Sequence, residues 1–115
     1  MSVTIYHNPR CSKSRQTLAL LEDRGIAPTI VLYLETTLDA ATLDTLLGSL
    51  AMEPRELMRK SEEPYKSLNL ADPAKTRQEL IDAMVAHPIL IERPVVTNGD
   101  RAALGRPPEQ VLQIL

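Results

Sequence analysis

Residues 3–15, VTIYHNPRCSKSR, run from an apolar stretch through a polar loop into a charged stretch. The segment Val3 to Tyr6 predicts a short strand, and the β-branched segment Thr29 to Tyr33 predicts a second one. The segment between them, Ser12 to Arg24, predicts a helix that stops at Gly25 as its C′ residue. Two strands joined by one helix within about 30 residues form a βαβ unit, whose strands are parallel. This beginning therefore predicts an α/β fold.

The middle of the chain, from about residue 38 to residue 90, is predicted to be helical. Leucines spaced i, i+3, i+4, i+7 between Asp39 and Leu50 form the stripe of an amphipathic helix. Pro54 has the position of a first-turn proline in a short helix. Thr76 and Glu79 have the spacing of a capping box, which predicts the start of a further helix.

The end of the chain predicts a hairpin and a closing helix. Asn98 and Gly99 predict a type I′ turn between two strands, Pro94 to Thr97 and Asp100 to Leu104. The closing helix, which starts at Pro107 or Pro108, is predicted to face inward through Val111, Leu112 and Leu115. The order β, α, β, helical block, β, β, α predicts a thioredoxin-like (glutaredoxin-like) domain. Such a domain has a mixed four-stranded sheet with flanking helices, here with a helical insertion.

The composition is that of an ordinary globular protein, because 43% of its 115 residues are hydrophobic and 24% are charged. A chain of this length is predicted to form a single domain, residues 1–115. The formal net charge of -2 argues against nucleic acid as a partner, since duplex binding normally needs a surplus of Lys and Arg. The sequence has neither a long apolar run nor the pattern of a signal peptide, so we expect a cytoplasmic protein without a membrane partner.

The chain contains one cysteine, Cys11, and cationic residues surround it in the sequence. Cys11 is predicted to lie at the start of the helix, where N–H groups and the helix dipole favour an anion. Arg10, Lys13 and Arg15 add positive charge, which is expected to lower the pKa of the thiol. His7 is a further candidate cation. A single cysteine is more often a small buried hydrophobic residue, but neighbours with these charges are rarely buried, so we predict a reactive thiol.

Two familiar thiol chemistries do not fit the spacing around Cys11. A tyrosine-phosphatase loop needs an arginine six positions after the cysteine, where this chain has Thr17. A dithiol oxidoreductase needs a second cysteine three positions on, where it has Ser14. The hydroxyl of Ser14 is instead expected to donate a hydrogen bond to the sulfur. Because the chain cannot close a disulfide on itself, an outside thiol such as glutathione or glutaredoxin must resolve any adduct of Cys11.

Four separated stretches carry a resemblance that covers nearly the whole chain: YHNPRCSKSR (6–15), LMRKSEEPYKSLNL (57–70), HPILIERPVV (87–96) and GRPPEQVL (105–112). In this order they resemble the glutaredoxin-coupled arsenate reductase family, which has a thioredoxin-like fold. The chain is similar in particular to the short chromosomal branch of arsenate-reductase-like proteins, with which it shares RCSKSR.

The resemblance implies that Cys11 is the nucleophile, which attacks arsenate and forms a thiol-arsenate adduct. It also implies that three arginines bind the oxyanion: Arg59, Arg93 and Arg106. Guanidinium groups suit this role because they give an oxyanion charge-assisted, partly bidentate hydrogen bonds. Arg93 precedes Pro94, which the thioredoxin-like pattern would place as a cis-proline beside the thiol.

His7 and Ser14 match family positions that help to hold the thiolate, so the resemblance adds both to the catalytic set. Asn8 is predicted to cap the loop, and Pro9 to fix the entry of the chain into the helix. The resemblance implies no bound cofactor; glutathione and glutaredoxin are implied as external reductants. One cysteine and two distant histidines supply no ligand cluster, so no metal site is predicted.

Two other functions stay open from the sequence. The well-studied plasmid-encoded reductases of the family have Ala-Cys-Gly-Thr-Ser-Arg around the nucleophile, where this chain has Arg10, Ser12 and Lys13 at three positions. One alternative is therefore a glutathione-linked thiol oxidoreductase that acts on another substrate. The other is a non-enzymatic regulator resembling the Spx transcription factors, although Ser14 removes the CxxC switch that those regulators commonly carry.

Overall fold

The computed structural model of the chain describes residues 2–36 and 38–115. These residues form two compact units. The first contains the residues up to 36 together with residues 93–115, and the second, which comes between them in sequence, ends at residue 92. The second unit coincides with the predicted helical insertion. A single domain over residues 1–115 stays a prediction.

The first unit contains a mixed four-stranded sheet over its described residues, in the order β2-β1-β3-β4. The strands are β1 (Val3–Tyr6), β2 (Thr29–Val31), β3 (Val95–Asn98) and β4 (Arg101–Leu104). Helix α1 (Ser12–Asp23) connects the parallel strands β1 and β2, whereas β3 runs antiparallel to both β1 and β4. The predicted mixed sheet with a βαβ beginning is therefore confirmed.

Strand β2 ends two residues earlier than predicted, because the chain turns after Val31. The amides of Glu35 and Thr36 donate to the carbonyl of Leu32 at 2.9 and 2.8 Å, which closes this turn. Tyr33 lies in the turn and is only 1% exposed. The apolar pattern that suggested a longer strand thus reflects burial of Tyr33 and not strand pairing.

Helix α1 packs its inner side into the core of the first unit. Leu21 is buried there together with Ile5 and Val96, which come from β1 and β3. The helix stops as predicted: Gly25 has a φ of 74°, and its amide donates to the carbonyl of Glu22 at 2.9 Å. The core therefore fixes the helix that follows the cysteine against the centre of the sheet.

The turn between β3 and β4 lies one residue later than predicted. Asn98 pairs with Arg101, so the two-residue turn is Gly99-Asp100. Positive φ occurs at Gly99 (64°) but not at Asp100, which excludes type I′, because that turn needs positive φ at both positions. Asn98 remains in the strand, where its buried side-chain amide donates to the carbonyl of Ile114 at 2.6 Å.

The closing helix has a different inner face from the predicted one. It is a 3₁₀ helix, Pro108–Ile114, and its buried side chains are those of Pro108, Val111 and Ile114. A 3₁₀ helix has three residues per turn, so the buried side repeats every third residue. Leu112 and Leu115, which the α-helical spacing predicted to face inward, are only partly buried. Val111 was predicted correctly.

The second unit is helical, as predicted. Over residues 38–92 its elements are α2 (Ala40–Leu50), α3 (Glu63–Ser67), α4 (Arg77–Ala86) and two 3₁₀ helices, Pro54–Leu57 and Pro88–Leu90. The capping box of Thr76 and Glu79 is present at the start of α4, and α2 packs against α4. The sequence patterns give no separate signal for α3. Within the described ranges, no helix is both long and apolar enough to cross a membrane.

Gly105, which follows β4, packs directly against Thr17 of α1 and against Pro94. A Cβ atom at residue 105 would lie 2.7 Å from Pro94 Cγ and 3.1 Å from Thr17 Cγ2. Thr17 is fully buried (0% exposed), and its hydroxyl donates to the carbonyl of Lys13 at 2.8 Å, so it has little room to move. The placement of Arg106 relative to α1 therefore depends on the absence of a side chain at residue 105.

We expect Gly105→Ala to lower the free energy of unfolding by about 1–3 kcal/mol, because the new methyl group would overpack this contact. Gly48→Ala is the matched control: Gly48 lies inside α2, and nothing is within 4 Å of a Cβ built there. That variant should gain up to about 1 kcal/mol from helix propensity. Urea unfolding of both variants measures the difference. Equal stability of the Gly105 variant and the wild type would contradict the close contact.

Candidate active site

Residues 8–11 form a tight turn that holds Cys11 at the start of α1. The amide of Cys11 donates to the carbonyl of Asn8 at 3.0 Å, and the amide of Arg10 donates to Oδ1 of Asn8 at 3.0 Å. Cys11 is the N-cap residue of α1 and is 8% exposed. Asn8, itself 7% exposed, thus holds the turn through both its backbone and its side chain.

The surroundings of Cys11 act on its thiol in opposite directions. Burial raises the pKa of the Cys11 thiol, because it disfavours the thiolate, but hydrogen bonds from the amides of Ser14 and Lys13 and the guanidinium of Arg93 lower it. The lowering effects prevail, and the pKa of Cys11 lies below its ordinary value. The predicted reactive thiol therefore has a physical basis in the first turn of α1 and in one arginine.

Arg106 is a second arginine at the sulfur. Its Nη2 lies 3.6 Å from Cys11 Sγ, and its Nε donates to the carbonyl of Arg93 at 2.8 Å. The peptide bonds before Pro94 and before Pro107 are both cis. The structure therefore brings two of the three predicted oxyanion-binding residues, Arg93 and Arg106, together with Cys11.

His7 and Ser14 lie beside this turn but act differently from what the sequence suggested. Burial, and next the charge of Arg15, lower the pKa of His7, so both disfavour the positive charge that the sequence suggested for its ring. His7 Nδ1 lies 2.6 Å from Ser14 Oγ, which also accepts a hydrogen bond from the amide of Asn8 at 3.1 Å. The Ser14 hydroxyl thus supports the turn, and the amide of Ser14 acts on the sulfur. Catalytic roles for His7 and Ser14 stay predictions.

Arg59, the third predicted oxyanion-binding residue, belongs to the helical unit. Its Nε donates to Glu62 Oε2 at 3.2 Å and its Nη1 donates to Glu92 Oε1 at 3.1 Å. Its amide donates to the carbonyl of Leu90, and the amide of Glu92 donates to the carbonyl of Leu57, at 2.6 and 2.7 Å. The segment of Leu57 and Arg59 and the segment of Leu90 and Glu92 are therefore joined by two backbone hydrogen bonds and one ion pair. The role of Arg59 in anion binding stays a prediction.

The two carboxylates around Arg59 were not identified from the sequence. Glu62 is only three residues from Arg59, and this closeness in sequence was the one signal available. Glu92 is 33 residues away, and no local pattern connects it with Arg59. Arg55 lies in the same unit, and its guanidinium donates to the carbonyls of Leu70 and Asp72 at 3.0 and 2.6 Å.

Comparison with known proteins identifies the family. The model of the ArsC family matches residues 6–114. The chain belongs to the ArsC family. It is 53% identical to a protein named arsenate reductase from Haemophilus influenzae, over 100% of both chains. It is also 59% identical to the uncharacterized protein YfgD of Escherichia coli, over 98% of this chain and 96% of that protein.

A solved structure supports the same membership of the ArsC family. The arsenate reductase from Vibrio cholerae is 55% identical to the chain and superposes with a TM-score of 0.98 over 100% of this chain and 98% of that one. The resemblance identified from the four sequence stretches is thereby confirmed, and so is the fold.

The lowered pKa of Cys11 predicts a specific pH dependence. Alkylation of the folded protein by iodoacetamide should show a lower apparent pKa for Cys11 than alkylation of the unfolded chain. Because the folded pKa is depressed, the thiolate stabilises the fold above the unfolded pKa, and this contribution is lost as the pH falls through the folded pKa. The matched control is the same chain in urea. Identical alkylation profiles for the folded and unfolded chains would contradict an activated thiol.

Proposed function

We propose that this protein reduces arsenate to arsenite, with Cys11 as the nucleophile. The observation that carries the proposal is a thiol of lowered pKa at the start of a helix, with Arg106 Nη2 at 3.6 Å from its sulfur. Relatives named arsenate reductase, among them the Haemophilus influenzae protein at 53% identity over the full length, support arsenate as the substrate.

In the proposed site, arginines bind the oxyanion. Arsenate carries more than one negative charge near neutral pH, and guanidinium groups offer it charge-assisted hydrogen bonds in a fork that matches its oxygens. Arg93 and Arg106 act at the thiol, and Arg59 is the third ligand. The same cations offset the negative charge that builds up on the arsenate oxygens when the thiolate attacks.

The first chemical step forms a covalent adduct. The Cys11 thiolate attacks the arsenic atom, a sulfur–arsenic bond forms, and one arsenate oxygen leaves as water after it takes up protons. Arsenic is still As(V) at this point. A lowered pKa favours the step because the thiolate, and not the thiol, is the attacking form.

The second step is the reduction, and it needs an outside thiol because the chain has one cysteine. Glutathione attacks Cys11 Sγ, the sulfur–arsenic bond breaks, and its electron pair remains on arsenic, which becomes As(III) in arsenite. Cys11 is left in a mixed disulfide with glutathione. Glutaredoxin then exchanges with this disulfide and releases the Cys11 thiolate. A supply of reduced glutathione is typical of the cytoplasm, where we propose that the protein acts.

Cys11→Ser tests the assignment of the nucleophile. We expect this variant to lose arsenate reduction, measured with glutathione, glutaredoxin and NADPH-coupled glutathione reductase, because a hydroxyl is not ionised at neutral pH. Urea unfolding should show that it remains folded. Turnover at the wild-type rate by folded Cys11→Ser would rule out the mechanism.

Arg106→Lys tests the binding of the oxyanion, because an ammonium keeps the charge but loses the planar fork. We expect kcat/KM for arsenate to fall roughly tenfold, the size of a lost hydrogen bond to a charged group. Arg101→Lys is the matched control: Arg101 is exposed, and its Nη2 donates to the carbonyl of Gln113 at 2.7 Å. Equal kinetics for the two variants would remove Arg106 from the site.

A further inference from the structure

A groove beside the thiol turn is separate from the proposed oxyanion site. It has a volume of about 210 Å³ and is lined by residues 7–10, Leu32, Leu34 and Glu35. Neither Arg93 nor Arg106 lines it. The amide of His7 donates to the carbonyl of Val31 at 2.8 Å, which ties the two lining segments together where β1 and β2 end. We call it the Arg10–Glu35 groove.

The two lining segments of the Arg10–Glu35 groove carry opposite charges. Arg10 and Glu35 are both exposed. Within residues 2–36 and 38–115, neither side chain has an oppositely charged group within ion-pair distance. Leu34, which is 42% exposed, adds an apolar surface to the same groove. A matching ligand therefore carries a carboxylate and an ammonium group on a short, partly apolar frame.

The position of the groove connects it with the second step of the reaction. The loop of residues 8–10 lines the groove and leads directly to Cys11, whose amide donates to the carbonyl of Asn8 at 3.0 Å. A resolving thiol must approach Cys11 Sγ while the arginines still hold the arsenic oxygens. It therefore needs a place that is next to the turn that holds the thiol and is not lined by Arg93 or Arg106. The groove meets both conditions, because residues 8–10 of that turn line it.

We propose that the Arg10–Glu35 groove binds glutathione, a zwitterionic peptide thiol, for the attack on the Cys11–arsenic adduct. This inference rests on the proposed function. Arg10 pairs with the glycine carboxylate of glutathione, Glu35 pairs with its ammonium group, and Leu34 contacts its methylene groups. The bound thiolate then forms the bond to Cys11 Sγ as the sulfur–arsenic bond breaks, so that the mixed disulfide forms in the groove and arsenite leaves from the arginine side.

The ammonium contact with Glu35 gives the sharpest test. In arsenate turnover with saturating glutaredoxin, we expect Glu35→Gln to raise the KM for glutathione about three- to fivefold, the size of an exposed ion pair. The KM for arsenate should not change. Glutaryl-Cys-Gly, which is glutathione without the amino group, should be used equally well by the variant and the wild type. A general electrostatic effect of losing one negative charge would instead lower the KM for both anionic reactants, glutathione and arsenate.

Glu22→Gln is the matched control, because Glu22 is exposed in α1 of the same unit and does not line the groove. Its KM for glutathione should equal that of the wild type. The inference is wrong if Glu35→Gln also leaves this KM unchanged. It is equally wrong if the variant raises the KM for glutaryl-Cys-Gly as much as that for glutathione, because Glu35 then does not bind the ammonium group.

A binding experiment separates this inference from the proposed function. S-methylglutathione cannot react, so its binding to the wild-type protein, followed by NMR without arsenate, does not depend on any reductase activity. We expect shifts at residues 8–10, 34 and 35, and weaker binding to Glu35→Gln. If the shifts occur elsewhere, or if S-methylglutathione does not bind this protein, the groove assignment is wrong even if the protein reduces arsenate. If the wild-type protein binds S-methylglutathione in the groove but does not reduce arsenate, the proposed function is wrong instead.

Discussion

The site depends on one physical constraint: a buried sulfur must ionise more readily than its burial alone would allow. Burial opposes the thiolate of Cys11, and the amides of Lys13 and Ser14 overcome it together with Arg93. Those amides are available because the first N–H groups of a helix have no partner within the helix. The stabilisation is therefore a property of where α1 begins. A turn that started the helix one residue earlier or later would point different amides at the sulfur.

The arginines depend on a second constraint, which is packing. Arg106 reaches Cys11 from the segment after β4, and the contact of Gly105 with Thr17 and Pro94 sets the distance of that segment from α1. Thr17 is one of the buried positions on α1, so the same helix presents the thiol at its start and supports the arginine from its side. The hydrogen bonds from the amides to the sulfur and the placement of Arg106 therefore both depend on α1.

Local patterns were predictable from the sequence, whereas pairings between distant residues were not. The bounds of β1, the start of α1 and the capping box at Thr76 follow from neighbours within a few residues. The hairpin turn was displaced because Asn98 bonds to the carbonyl of Ile114, a contact across 16 residues that no local pattern reveals. His7 was a candidate cation because the sequence does not show its burial. Glu92 lay beyond prediction as a partner of Arg59 because it is 33 residues away in the chain.

The arginines of the proposed site are not equivalent as cations. Two carboxylates, of Glu62 and Glu92, already contact the guanidinium of Arg59, and its side chain is 20% exposed. Its positive charge is therefore largely compensated. In the proposed site, Arg59 would offer an oxyanion the direction of its N–H groups more than its net charge. Arg106 instead lies against a sulfur that is itself anionic in the reactive state. In the proposed first step, this sulfur bonds to arsenic and its negative charge passes to the arsenate oxygens, so that the charge of Arg106 would become available to them. In that proposed step Arg106 contacts the negative charge both before and after it moves, so its interaction is not lost when the thiolate is consumed.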